Sequence, residues 1–114
     1  VGGGYDHCFV IDRGRGASQS LCAWASSDKT GISMKVYTTQ PGVQLYTGNF
    51  LQDCPAPGKG SVPMQKYGGF ALETQHFPCS PSHPEFPSTA LRAGKVFRAN
   101  TTLRFFTGKQ CGKL

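Results

Sequence analysis

The chain has 114 residues, which is enough for one domain and too short for two of ordinary size. Its 15 glycines and 8 prolines indicate many turns, and it has neither the sustained 3.6-residue apolar period of a long helix nor an apolar run near the ~20 residues of a membrane helix. The net charge is +6, but the basic residues are spread along the chain without a basic block or an RNA-binding motif, so we attribute the charge to solubility and expect neither a nucleic-acid nor a membrane partner.

Cysteines are unusually frequent for a cytosolic chain. They are Cys8, Cys22, Cys54, Cys79 and Cys111. No two form a C-x-x-C pair, so we predict no metal site, and we expect disulfides instead. The odd cysteine would be free or bonded to something outside this chain. Asn100 begins an N-glycosylation acceptor pattern, Asn-Thr-Thr, which agrees with secretion. A cytoplasmic location is the alternative.

Seven short segments, separated by turn signals, are predicted to be strands. In chain order they are 5–11, 21–26, 32–39, 43–46, 70–77, 96–97 and 101–107. The turn at 27–31 favours a hairpin between the second and third segments. Residues 53–63 form a predicted long loop, and the prolines between 78 and 87 exclude a central strand or a helix there. The pattern predicts an all-β chain, an antiparallel β-sandwich or part of one.

The fifth segment carries the residues of greatest chemical interest. Because strand side chains alternate, Ala71, Glu73 and Gln75 share one face, with Phe70 and Leu72 on the other. A carboxylate held on a rigid strand suits a proton-transfer group. The alternative is a solvated strand face, since most exposed carboxylates do no chemistry. In the fourth segment, Gln44 and Tyr46 likewise share a face.

Three stretches of sequence together are specific. They are Gly-Tyr-Asp-His at 4–7, Thr-Thr-Gln-Pro-Gly-Val-Gln-Leu-Tyr-Thr-Gly-Asn-Phe-Leu at 38–51, and Gly-Phe-Ala-Leu-Glu-Thr-Gln at 69–75. In this order and spacing they resemble the C-terminal third of the aldose 1-epimerase (galactose mutarotase) family. Weaker matches at 86–87 and 91–94 extend the likeness to about Phe106. The resemblance implies that residues 1–114 form the C-terminal part of a large antiparallel β-sandwich with a sugar cleft on one sheet.

The resemblance also implies a reaction, the interconversion of the α and β anomers of a free aldose such as galactose or glucose. It puts the catalytic base at Glu73 and sugar-hydroxyl ligands at Asp6 and Gln44. A base takes the proton from the anomeric hydroxyl while an acid protonates the ring oxygen. The ring then opens, the C1–C2 bond turns, and the ring closes on the other carbonyl face. No metal or organic cofactor is implied, and the implied partner is a monosaccharide.

The family's general acid is a histidine from an upstream segment, and no residue of this chain matches it. Alternation points His7 away from Asp6, which favours a structural role, and His76 and His83 are expected to be exposed near the prolines. The chain begins abruptly, without an initiator Met or a signal peptide. We therefore expect it to be a piece of a longer precursor whose N-terminal segment is a partner that supplies the histidine.

Several positions depart from the family pattern. Tyr67 stands where a histidine is frequent, which leaves the detailed shape of the pocket open. Cys54 and Cys79 are additions in adjacent loops and are candidates to pair. Two further hypotheses therefore stay beside the enzyme: a non-catalytic, secreted carbohydrate-binding relative, and a structural or interaction protein. Loss of Glu73, Gln44 or Asp6 would favour the last, and none is lost.

Overall fold

The computed structural model describes residues 3–14 and 17–107. Within them the regular structure consists of six strands and three short 3-10 turns, so the all-β prediction is confirmed. The strands are β1 (Asp6–Val10), β2 (Ser20–Ser26), β3 (Ile32–Thr38), β4 (Gly42–Tyr46), β5 (Ala71–Gln75) and β6 (Thr101–Thr107). The 3-10 turns are Leu51–Asp53, Lys59–Ser61 and Ser80–Ser82.

The strands form two antiparallel three-stranded sheets. The first sheet has the order β1-β4-β5 and the second has the order β2-β3-β6. The predicted hairpin between β2 and β3 is confirmed, since Ser27 N donates to Ile32 O at 2.9 Å across the turn. The two sheets meet where Thr74 on β5 and Thr101 on β6 bring their hydroxyl oxygens to 2.6 Å. A contact between β5 and β6 thus ties the first sheet to the second.

Apolar burial is sparse. Among the described residues the buried hydrophobic side chains are Ile11, Val36 and Val43, while Leu103 and Phe105 on β6 are 53% and 66% exposed. The radius of gyration is 16.8 Å, above the roughly 13 Å expected of a compact domain of this length. Both observations fit the expectation of an open portion of a larger antiparallel sandwich.

One predicted strand, at 96–97, is wrong. The preceding turn is present, with Lys95 N donating to Arg92 O at 3.0 Å. Val96 is 75% exposed and pairs with no strand of the described chain. The ring of Phe97 lies 6.2 Å from that of His76 instead. These two residues therefore make a ring contact and form no strand pairing with the described chain.

The candidate disulfide between Cys54 and Cys79 is not formed. Both cysteines carry free, exposed thiols, as their surroundings explain. Cys54 follows the turn Leu51–Asp53, whereas Cys79 adopts a left-handed conformation, φ 58°, at the start of the turn Ser80–Ser82. The two cysteines therefore lie in different loops, each beside its own 3-10 turn.

The other two described cysteines are free as well, and they lie on different sheets. Cys8 packs against Gly42 within the first sheet, and Cys22 Sγ donates to Val36 O at 3.3 Å within the second. Cys111 lies outside the described residues. Secretion and glycosylation stay predictions. Asn100 is exposed, and its backbone N–H donates to Thr39 Oγ1 at 3.1 Å, which leaves its side chain in solvent.

Candidate active site

An open pocket of about 440 Å³ lies on one face of the first sheet. It is lined by Asp6, Gln44, Tyr46, Phe50, Glu73, Gln75 and Pro78. The three residues that the sequence proposes for sugar chemistry, Asp6, Gln44 and Glu73, therefore share one cavity. They come from β1, β4 and β5, so every strand of the sheet contributes one of them.

The register of the sheet explains this convergence. Asp6 pairs with Tyr46 across the β1–β4 ladder, and Gln44 pairs with Glu73 across the β4–β5 ladder. Directly opposed residues of an antiparallel pair project to the same face. The predicted sharing of a face by Gln44 and Tyr46, and by Glu73 and Gln75, is therefore confirmed. The central strand supplies the middle of the pocket, and its neighbours supply the two carboxylates.

A hydrogen bond fixes the amide of Gln44. Its Nε2 donates to Asp6 Oδ1 at 2.8 Å. Since a carboxylate oxygen can only accept, this bond decides which end of the amide is the nitrogen. Gln44 Oε1 is buried, with no hydrogen-bond partner among the described residues. Glu73 is exposed on the neighbouring strand, where its carboxylate is accessible to a bound hydroxyl.

A polar network around the buried Asn49, beyond the end of β4, positions the residue before Asp6. Asn49 is fully buried, and its Nδ2 donates to Tyr5 O at 2.9 Å. Thr47 Oγ1 donates to Asn49 Oδ1 at 2.7 Å and accepts from Tyr5 N at 2.9 Å. These bonds hold the start of β1 against the end of β4. We did not predict this role from the sequence, although Thr-Gly-Asn directly after a strand is typical of side-chain hydrogen bonding at a turn.

The rim of the pocket is held in a similar way. Tyr46 Oη accepts from Phe50 N at 2.9 Å, which brings Phe50 to the pocket wall. Tyr67, the departure from the family pattern, does not line this pocket. Its hydroxyl donates to Gly3 O at 2.8 Å and its backbone N–H to Gly48 O at 2.9 Å. Tyr67 therefore supports the chain ahead of β1 from outside the cavity.

None of the three histidines lines this pocket. His7 Nδ1 accepts from Asp6 N at 3.0 Å on the opposite face of β1. His83 is exposed, as predicted, and lies 2.9 Å from Glu85 Oε1. His76 is half-buried beside Phe97, so its predicted exposure is wrong. The described pocket offers a proton acceptor without a histidine opposite it.

The described chain also shows no arrangement for a metal or a membrane span. Residues 3–14 and 17–107 contain no group of three His, Cys, Asp or Glu side chains that could hold a metal ion. The same residues include no helix long and apolar enough to cross a bilayer.

Comparison with known proteins assigns this all-β chain to a family. Residues 2–104 match the family model for aldose 1-epimerase, and the chain belongs to that family. It is 40% identical over 102 residues to galactose mutarotase of Rattus norvegicus and to that of Homo sapiens. It is 38% identical over 105 residues to aldose 1-epimerase of Escherichia coli. Each match covers 90% of this chain and 29% of the relative, so the chain spans under a third of the relatives' length.

Proposed function

We propose that the protein is an aldose 1-epimerase that interconverts the α and β anomers of a free aldohexose such as galactose or glucose. One observation carries the proposal: Asp6, Gln44 and Glu73, from three different strands, line a single pocket. Relatives named galactose mutarotase and aldose 1-epimerase support the choice of reaction.

In the proposed mechanism Glu73 is the base. It takes the proton of the anomeric hydroxyl while an acid protonates the ring oxygen, so that the C1–O5 bond breaks. Rotation about C1–C2 presents the other carbonyl face, and the reverse transfers close the ring and return both protons. Because these reaction steps depend on proton transfers, we propose that the enzyme needs no metal or organic cofactor.

Binding in this proposal uses the rest of the pocket. The carboxylate of Asp6 accepts a hydrogen bond from a sugar hydroxyl, and Gln44 holds that carboxylate in place through the 2.8 Å bond. Tyr46 and Phe50 offer aromatic rings at the wall, where an amphipathic ligand can rest its C–H face.

The acid is proposed to come from an N-terminal segment of the same protein. None of His7, His76 and His83 lines the pocket, and the chain spans 29% of its relatives' length. The segment would also cover the apolar residues that the open sheets leave in solvent, such as Phe105. In this arrangement residues 1–114 are the C-terminal part of the domain.

A second candidate is a carbohydrate-binding relative without turnover. It is favoured by the same absence of a histidine from the described pocket, together with the retained Asp6–Gln44 hydrogen bond. Sugar binding with no accelerated anomer exchange would identify this function.

Polarimetry on the whole protein tests the enzyme. Fresh α-D-glucose or α-D-galactose is expected to reach its equilibrium rotation faster than in buffer. Glu73→Gln keeps the size of the side chain and removes the base, so the rate constant is expected to fall by ~100-fold or more. Glu85→Gln is the matched control, because its carboxylate contacts His83 outside the pocket. Full activity of Glu73→Gln would remove Glu73 from the mechanism.

A further inference from the structure

A second cavity, of about 300 Å³, lies beside the start of β4 and the end of β5. Its walls come from four parts of the chain: the segment after β1, the β3–β4 connection, the end of β5, and the irregular stretch before β6. It shares no lining residue with the pocket of Asp6, Gln44 and Glu73. It is therefore a separate candidate site.

Hydrogen-bond donors dominate its polar lining. They are Arg13, Arg98, His76, Thr39 and Gln40, and among the residues that the structure describes no aspartate or glutamate lines the cavity. Gln40 is only 7% exposed, yet it reaches this space. Its backbone N–H donates to Thr38 Oγ1 at 3.1 Å, which anchors the residue at the wall of the cavity.

The two guanidiniums are not used within the described chain. Within residues 3–14 and 17–107, the ion pair is between His83 and Glu85 and involves neither arginine. The arginine that contacts an aromatic ring in these residues is Arg104, which lies over Tyr37. Arg13 and Arg98 thus bring two positive charges to a cavity whose described lining contains no carboxylate.

The cavity is also held in shape by backbone contacts. Ile11 N donates to Pro41 O at 2.9 Å, two residues before Arg13. Thr39 N donates to Asn100 O at 3.0 Å, two residues after Arg98. Each arginine therefore lies two residues from a backbone hydrogen bond that fixes its segment to the β3–β4 connection. This anchoring lowers the entropic cost of organising a ligand site.

We propose that this cavity binds a phosphate group, either as the free ion or on a small phosphorylated molecule. Guanidiniums match the oxygens of a phosphate in bidentate geometry, and the bonds are charge-assisted. The volume lies at the lower end of the range for small-molecule pockets. Pro41, Pro87 and Phe97 supply apolar wall for the carbon portion of such a molecule. The carboxylate-lined pocket on the first sheet disfavours the same ligand by charge.

Isothermal titration of the whole protein at constant ionic strength tests the proposal. The probes are inorganic phosphate, glycerol 3-phosphate and glycerol, none of which is an aldose. We expect saturable binding of both phosphates and none of glycerol. Equal affinity for the two would assign the site to the free ion, and tighter binding of glycerol 3-phosphate would assign it to a phosphorylated molecule.

Charge-removing variants locate the binding. Arg13→Gln and Arg98→Gln are each expected to weaken phosphate binding about tenfold or more. Arg92→Gln is the matched control, because it removes the same charge from an exposed turn outside the cavity, and it is expected to change the affinity less than about twofold. Far-UV circular dichroism confirms that each variant is folded. Absence of saturable phosphate binding, or an equal loss in Arg92→Gln, would overturn the proposal. Because mutarotation is measured without phosphate, either result leaves the proposed enzyme activity untouched.

Discussion

Individual residues show how much of the site a sequence pattern can predict. Alternation predicted the faces of Gln44 and Glu73, and the family motifs singled out Asp6. The 2.8 Å bond from Gln44 to Asp6 was beyond sequence, because it depends on the register of strands whose residues are 38 apart in the chain. The burial of Asn49 was also missed, since an asparagine after a strand is most simply interpreted as an exposed turn residue.

Asn49→Ala tests the network that precedes Asp6. The change removes the donor to Tyr5 O and the acceptor of the Thr47 hydroxyl in a fully buried place. We expect the free energy of unfolding of the whole protein to fall by ~1–3 kcal/mol in urea denaturation. Asn100→Ala, at an exposed asparagine, serves as the control, with a change within about 0.5 kcal/mol. Equal stability of the two variants would contradict the assigned role of Asn49.

The thiols give a second test at this scale. Burial raises the pKa of the Cys22 thiol, so less of the reactive thiolate is present near neutral pH. With iodoacetamide and no reductant, we expect the exposed Cys54 and Cys79 to be alkylated first and Cys22 last, with a lag that shortens as the pH rises. Peptide mass spectrometry reads the order. A Cys54–Cys79 pair that stays unlabelled until reduction would show that they form a disulfide after all.

Strands could be predicted where the two-residue alternation of side chains extends over enough residues to be recognised. β6 has the predicted bounds, whereas β5 ends at Gln75 and not at Phe77. Phe77 leaves the strand to pack edge-on against Phe86, with ring centroids 5.2 Å apart. Such an ending depends on a partner from a distant loop. The register shift between Leu21 and Ala23 in β2 was hidden for the same reason, since a bulge is defined only against a neighbouring strand.

The turn after β4 depends on a left-handed backbone. Gly48 has φ +69°, and a Cβ there would overlap Gly69 O. Gly48→Ala is therefore expected to lower the apparent melting temperature more than Gly94→Ala, whose φ is +78° with open space around it. The second variant carries the backbone cost alone, about 1 kcal/mol. Thermal unfolding by circular dichroism separates the two. If Gly48→Ala lowered the melting temperature no more than Gly94→Ala does, the turn would accommodate the added Cβ without further strain.

The whole molecule was the hardest scale to predict. The patterns indicated an antiparallel sandwich or a part of one, and the family resemblance predicted a C-terminal part. Neither could show that the two sheets are joined at one end through Thr74 and Thr101, because that contact links β5 to β6 across a long irregular stretch. The exposure of Leu103 and Phe105 follows from this open arrangement.

The open arrangement predicts how the isolated 114-residue chain behaves. Exposed apolar faces and unpaired strand edges favour association. We expect it to bind the dye ANS and to sediment as concentration-dependent oligomers. Phe105→Lys, on the uncovered face, should shift the distribution towards monomer, whereas Val62→Lys, on an exposed loop, should not. A monomeric chain that does not bind the dye would contradict this view.

The cross-strand pairing of Gln44 with Glu73 also sets where the chain tolerates changes in length. One residue inserted into β4 would turn Gln44 towards the back of the sheet and bring an apolar neighbour, Val43 or Leu45, into the pocket. The same insertion in the exposed loop at 55–57 would move no strand. Length variation among descendants of this sequence should therefore collect in that loop and spare β1, β4 and β5.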